Sequence, residues 1–324
     1  MATVPAGHLS RRLDLAGTRE FTRPGAGEQR RDVLASFGRD WLCRLWDEAV
    51  RPVRGAVQDG VALAAVGSLA RGDGGPLSDY DLVLVHDGRA VSSAAIAALA
   101  ERIWYPIWDS GARLDHSVRT RGECRSVASN DLSAAVGMLD LTCIAGDQVL
   151  VSGIRASIAH DWRANARKRL PELLESLQAR HQRAGDLSTS LEPDLKEGRG
   201  GLRDMAILRS LTAAWLADRP HGGVDGAYGQ LLDIRDALHV VTGRGRDRLG
   251  REEQDSVAAL LGHLDQDALL TQVVDSSRSI NFALDATFRS ASQSQRARTL
   301  RVGPRRPVLH ALGYGLYEHD GEVV

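Results

Sequence analysis

The stretch from Val61 to Asp87, VALAAVGSLARGDGGPLSDYDLVLVHD, restricts the possible folds more than any other part of the chain. Val61 to Val66 is a short apolar run that stops at Gly67-Ser68, the pattern of a buried strand turning sharply. Asp79-Tyr80-Asp81 then leads into Leu82-Val83-Leu84-Val85, a second core strand. Between them lies a glycine-rich connector holding Arg71. Asp79 and Asp81 are two apart on a predicted strand, so their side chains share one face. Adjacent carboxylates repel, and no basic residue nearby in sequence offsets either one. A divalent cation resolves that conflict: Mg2+ favours one or two carboxylates together with substrate phosphates, and Mn2+ accepts the same oxygen donors. Gly67 and Ser68 would sit opposite, where backbone N–H groups and a hydroxyl hold phosphate oxygens, with Arg71 adding charge there. A bare D-x-D is more simply a polar hairpin with a solvated acidic rim. The preceding Gly-Ser, the two apolar strands and the connector together favour the binding site.

Composition narrows the classes. A chain of 324 residues is long enough for two domains, and 43% hydrophobic with 26% charged residues is ordinary for a globular protein. No apolar run approaches the roughly 18 residues of a membrane span, and the N-terminus lacks the apolar core of a secretory signal. The expectation is a cytoplasmic enzyme with no membrane partner. Net charge is −1 with a pI near 6.8, and Arg is scattered among equal numbers of Asp and Glu. That balance argues against a nucleic-acid substrate, which calls for a basic excess. Cys43, Cys124 and Cys143 are too few and too far apart for a zinc site or a disulfide framework.

In chain order, residues 1–27 lack periodicity and read as a loose N-terminal arm. Residues 28–50 carry Val33-Leu34, Phe37, Trp41-Leu42 and Leu45-Trp46, the stripe of an amphipathic helix. Residues 92–108 read as another helix, closed by Gly111, and residues 112–118 as a third strand. From Arg121 onward no strand pattern appears for a long distance. Asn130-Asp131 caps a helix running to Ala145, and further helices are expected over 147–159, 162–183, 202–217, 224–242, 252–263 and 266–290. Trp41, Trp46, Trp104, Trp108 and Trp162 fall at helical spacing and read as core. The expected class is α+β, a small strand-containing domain over 28–120 followed by an all-helical domain over 121–294. Residues 295–324 turn strand-like and Gly-rich and are expected to begin a linker to further C-terminal domains.

A second concentration of chemistry lies at Leu191 to Asp204, LEPDLKEGRGGLRD. Glycines just before a helix N-terminus are expected to leave backbone donors free, and Lys196, Arg199 and Arg203 supply positive charge, a combination suited to a triphosphate. The competing reading is a loop whose charges pair with one another.

Gly-Ser followed by D-x-D at the start of a strand resembles the DNA polymerase β-type nucleotidyltransferase superfamily. With the 191–204 loop, Trp108-Asp109-x-Gly111, His116-Ser117-Val118-Arg119-Thr120 and Arg235-Asp236-Ala237-Leu238, the chain resembles the PII-protein uridylyltransferase/uridylyl-removing enzymes (GlnD) over roughly residues 30–290. Relatives open the first motif with Gly-Gly-Tyr or Gly-Ala-Tyr, from which Ser68-Leu69 departs toward the wider superfamily pattern. The resemblance implies a mixed-sheet nucleotidyltransferase domain followed by a helical one. It implies transfer of a nucleoside monophosphate from UTP or ATP to a tyrosine of the nitrogen-signalling PII protein, with two metal ions clamping an in-line displacement. Asp79 and Asp81 match the first two metal carboxylates; Asp115 is the candidate for the third, and Asp109 the runner-up. Gly67, Ser68, Arg71, Lys196, Arg199 and Arg203 are the expected nucleotide contacts. His116 holds the base or a water, or is structural. Relatives continue into a phosphohydrolase domain built on His-Asp pairs, but His86-Asp87, His160-Asp161 and His319-Asp320 lack the surrounding ligands of such a site. Two other functions remain open on sequence alone: a small-molecule nucleotidyltransferase and a non-catalytic nucleotide-binding regulator.

Overall fold

The computed structural model describes residues 7–53, 59–89, 92–220 and 222–298, together with 310–313, 316–319 and 322–323. Helices α1 (His8–Ala16), α2 (Arg19–Thr22) and α3 (Gly27–Val50) come first. They are followed by β1 (Val61–Ala65), α4 (Gly67–Arg71), β2 (Tyr80–His86), α5 (Ser93–Asp109) and β3 (Leu114–Thr120). Next are α6 (Arg121–Asn130), α7 (Leu132–Met138), β4 (Thr142–Gly146), α8 (Gln148–Ala164) and α9 (Ala166–Ala184). The helical part continues with α10 (Leu202–Ala213), α11 (Gly223–Thr242), α12 (Arg251–Leu261) and α13 (Gln266–Arg298). Short strands β5 (His310–Gly313), β6 (Leu316–His319) and β7 (Glu322–Val323) form a small antiparallel sheet. Among the described residues, no helix is long and apolar enough to cross a membrane.

The main sheet has the order β3-β2-β1-β4. β1 is antiparallel to β2 and to β4, and β2 is parallel to β3, so the sheet is mixed as expected. Strand alternation then divides the core. Leu63, Ala65, Leu82 and Leu84 pack with Leu42, Leu45 and Trp46 of α3 and Leu99 and Ile103 of α5. Ala62, Ala64, Val83 and Val85 face the other way and join one apolar cluster with Ile154 and Ile158 of α8 and the helices beyond. The sheet thus has helices on both faces, which is why β1 is buried throughout.

Two expectations fail here. Residues 142–146 are a strand, not the end of a helix, and they carry the sheet past the expected boundary at residue 120. Asp131 caps only the short α7, accepting from Ala134 N–H, and the chain then lies along the free edge of β1. Ladder pairing there overrides the helix propensity of an Ala- and Leu-rich segment. The N-terminal segment is also no loose arm from residue 7 onward. His8 Nε2 lies 2.7 Å from Tyr80 Oη and stacks on Trp41, while Arg12 donates to the carbonyls of Gly75 and Ser78. Residues 1–6 and most of the linker expected over 295–324 lie outside the described residues. Of the tryptophans read as core, Trp46, Trp104 and Trp162 are buried, but Trp108 is 44% exposed, its ring edge-on to His116 and Tyr105.

Candidate active site

A cavity of about 900 Å³ opens between the β2–β3 side of the sheet and the helical part. Its sheet wall is built by the first motif. After β1, Val66 stays extended and Gly67 adopts φ +62, starting α4. An added Cβ on Gly67 would lie 2.5 Å from Asp81 Oδ2, so the close approach of a carboxylate to this backbone requires glycine. Ser68 lines the cavity beside it. Asp81 lies on β2 directly opposite Asp115 on parallel β3, and Asp79 stands one residue before β2. All three carboxylates line the cavity; Asp109, at the end of α5, does not.

The electrostatics show an acidic cluster short of positive charge. Burial, then the neighbouring Asp115 and Asp79, push the Asp81 carboxyl up to about 6, while Lys196 and Arg71 act in the opposite direction. Asp79 does have a cation, one that local sequence does not reveal: Arg113 Nε lies 2.6 Å from its Oδ1. The N–H does not point along that line, and Asp79 Oδ1 has no hydrogen-bond partner among the described residues. Among those residues no group of three or more His, Cys, Asp or Glu converges closely enough to enclose a metal ion. The donor set nevertheless fits a hard divalent cation, which needs only one or two carboxylates when phosphate oxygens complete its shell. A carboxylate oxygen that accepts no hydrogen bond and a neighbouring carboxyl with raised proton affinity are what such an ion would relieve.

The opposite wall corrects the reading of the 191–204 loop. Its glycines do not free backbone donors; they let the loop fold tightly on itself. Gly198 N–H donates to Asp194 O, Arg199 N–H to Gly185 O, Gly201 N–H to Gly198 O, Leu202 N–H to Leu195 O and Arg203 N–H to Lys196 O. Gly200 N–H donates to Asp204 Oδ2, a carboxylate also held by Arg180 and His181. Gly200 has φ +80 and sits against Ser277 of α13, where a side chain would collide. With these amides satisfied internally, the loop meets a ligand through side chains.

Those side chains divide. Lys196 and Arg203 line the cavity, Lys196 with Asp247 at 3.8 Å and Arg203 with Glu197 at 2.7 Å. Arg199 is the exception among the expected contacts. Its guanidinium reaches Asp285 at 3.1 Å and Asp186 at 3.9 Å, outside the cavity lining. Arg71 is in the wall, but its guanidinium is occupied by Asp73 and Asp140, and these partners raise its pKa above the usual value although burial opposes them. His116 lines the cavity between Trp104 and Trp108. Residues that sequence reading missed include Arg113, His239 and Asp247. Arg235-Asp236 stood out in sequence but without a role. In the structure Arg235 donates to Asp236 and to the Asp73 carbonyl, with Arg30 and Arg31 also on Asp236.

A family model described as a nucleotidyltransferase domain matches residues 42–135, and one described as GlnD PII-uridylyltransferase matches residues 168–285. A bifunctional uridylyltransferase/uridylyl-removing enzyme of Streptomyces coelicolor is 45% identical over 99% of this chain and 38% of its own length. The enzymes of the same description from Mycobacterium tuberculosis and Corynebacterium glutamicum are 41% and 39% identical, over 91% and 77% of this chain and 37% and 35% of their own lengths. The chain therefore spans under two fifths of these relatives.

Proposed function

Because the chain belongs to the GlnD PII-uridylyltransferase family, we propose that it transfers a nucleoside monophosphate from a nucleoside triphosphate to a tyrosine hydroxyl of the PII protein. The names of the relatives favour UTP as donor, giving UMP; ATP, giving AMP, is the alternative. The observation that carries this reading is the meeting, in one cavity, of Asp79, Asp81 and Asp115 with the Gly67-Ser68 turn and Lys196.

Asp79, Asp81 and Asp115 are the residues that would hold divalent metal, Mg2+ or Mn2+. When bound, two such ions would neutralise the triphosphate and the attacking oxygen of an in-line displacement. Gly67 lets the Asp81 carboxylate approach the turn, and Ser68 offers its hydroxyl to a phosphate oxygen. Lys196 and Arg203 bring cationic side chains from the helical part to the same space. The phenol oxygen bonds to the α-phosphorus, the bridge to the β-phosphate breaks, and pyrophosphate leaves. The phenolic proton passes to a carboxylate of the cluster.

The test is incubation of the purified chain with PII and labelled UTP, ATP, CTP or GTP, with and without Mg2+. Metal-dependent label on one PII tyrosine, greatest with UTP, is the expected result. Label greatest with ATP would reassign the donor. No label from any nucleotide, with PII intact and metal present, would overturn the proposal.

A further inference from the structure

The connector between Gly67-Ser68 and Asp79 carries both halves of the sheet motif, yet much of what holds it comes from outside the sheet. Tyr228 and Arg235 of α11 take Asp73, the first by O–H donation to Oδ2 at 2.6 Å, the second by donation to its carbonyl at 2.7 Å. Gly75 sits directly against Asp236, where a side chain would collide. Arg12 of α1 donates to Gly75 O at 2.7 Å and to Ser78 O at 3.3 Å. Between these, Leu77 N–H donates to His239 Nδ1 at 3.3 Å, and no other partner of that buried amide is seen among the described residues. Ser78 alone separates Leu77 from Asp79.

We propose that His239 is a positioning residue for the carboxylate cluster, fixing the backbone two residues before Asp79 by accepting the Leu77 N–H. The inference rests on the nucleotidyl-transfer reading above. A ring nitrogen that accepts must be unprotonated, so the hydrogen bond assigns the Nε2–H tautomer. His239 is 2% exposed, and burial and then Arg235 lower its pKa to about 3, so Nδ1 stays an acceptor through any assay range. Arg12 holds the next carbonyl, and Arg113 O accepts the Tyr80 N–H at 2.9 Å on the far side of Asp79. The carboxylate is thus set between fixed points, one of which belongs to the helical part. Displacing a reacting group by about 1 Å costs up to about a hundredfold in rate.

The test compares His239→Leu, which removes the acceptor, with His239→Asn, whose oxygen lies close to where Nδ1 sits. Expected for His239→Leu are a kcat lower by about tenfold to a hundredfold, a KM for nucleotide within about twofold of wild type, and a higher Mg2+ concentration at half-maximal rate. His239→Asn should recover most of the kcat and the normal metal requirement. Wild-type kinetics in His239→Leu, or equal losses in both variants with an unchanged metal requirement, would overturn the proposal. If neither variant folds, ring 15N shifts of His239 in the wild-type chain decide: an unprotonated Nδ1 supports the proposal, and a protonated Nδ1 overturns it. Wild-type chain that transfers nothing refutes the functional reading; active wild type with an unaltered His239→Leu refutes only this role.

Discussion

Replacing Asp81 by Asn should make the metal-free chain more stable at neutral pH while abolishing transfer. The magnitude follows from the carboxyl being pushed up to about 6 by burial, Asp115 and Asp79. Against an ordinary aspartate near 3.9, that is about two decades in proton affinity, or about 3 kcal/mol. The sign follows from which state holds the proton more tightly. Below about pH 4 both folded and unfolded chains carry protonated Asp81, and there is no penalty. Between about pH 4 and 6 the unfolded chain gives up a proton that the folded chain keeps, so stability falls across that window; above 6 the folded chain too ionises a largely buried carboxyl beside two others, and the full penalty stands. Asn keeps the size without the charge, offering one acceptor oxygen and an NH2 donor in place of the second. At pH 7.5 without divalent metal, Asp81→Asn should therefore raise stability by up to about 3 kcal/mol, a Tm increase of roughly 5 °C. The gain should shrink to about 1 kcal/mol at pH 4.5, and saturating Mg2+ should narrow it by stabilising only the wild type. Thermal unfolding at the two pH values, with and without Mg2+, measures all three. A variant less stable than wild type at pH 7.5, or one equally stabilised at pH 4.5, would refute the claim that Asp81 carries uncompensated charge.

Asp79→Asn should fold normally and lower transfer by on the order of a thousandfold at saturating Mg2+; a near-normal rate would remove Asp79 from the metal set. Lys196→Ala and Arg203→Ala should each raise the KM for nucleotide several-fold and leave the KM for the protein acceptor nearly unchanged. Arg199→Ala should leave both KM values alone and cost about 0–1 kcal/mol of stability through its exposed pairs with Asp285 and Asp186. Steady-state kinetics of the three in parallel checks this, and a raised nucleotide KM in Arg199→Ala would return that residue to the site.

The legible parts of this fold were those written in apolar periodicity. β1 and β2 were readable because continuous apolar runs end in a glycine turn and begin at D-x-D. Helix α1 escaped although Leu9, Leu13 and Ala16 fall at helical spacing: it is only nine residues long, and two of its three buried side chains, His8 and Arg12, are polar. β4 escaped because TCIAG is short and its conformation is settled by the free edge of β1. The glycines at 198, 200 and 201 were visible, but their purpose was not. The same spacing serves a loop with free amides or a loop packed on its own carbonyls, and only partners such as Ser277 and Asp194 decide. The charge balance around Asp79 was illegible for the same reason: Arg113 reaches it across the sheet edge, not along the chain.

A nearly neutral chain can hold a polyanion without a basic excess if its ion pairs differ in how readily they exchange partners. Arg235 with Asp236, Arg30 with Asp236 and Arg180 with Asp204 are buried pairs. Removing one partner from such a pair strands a charge and costs about 3–5 kcal/mol, so these pairs form a fixed frame. Lys196 with Asp247, Arg203 with Glu197 and Arg113 with Asp79 are more exposed, their cations 43–61% accessible. Pairs of that kind are worth only about 0–1 kcal/mol, so a phosphate can take the cation at little cost. The carboxylate released from Arg113 is Asp79, which then needs another cation. A divalent metal arriving with the nucleotide would satisfy it, so on the proposed reading triphosphate and metal would favour each other's binding. The frame that keeps those partners in reach is anchored on α11, the helix that also carries His239.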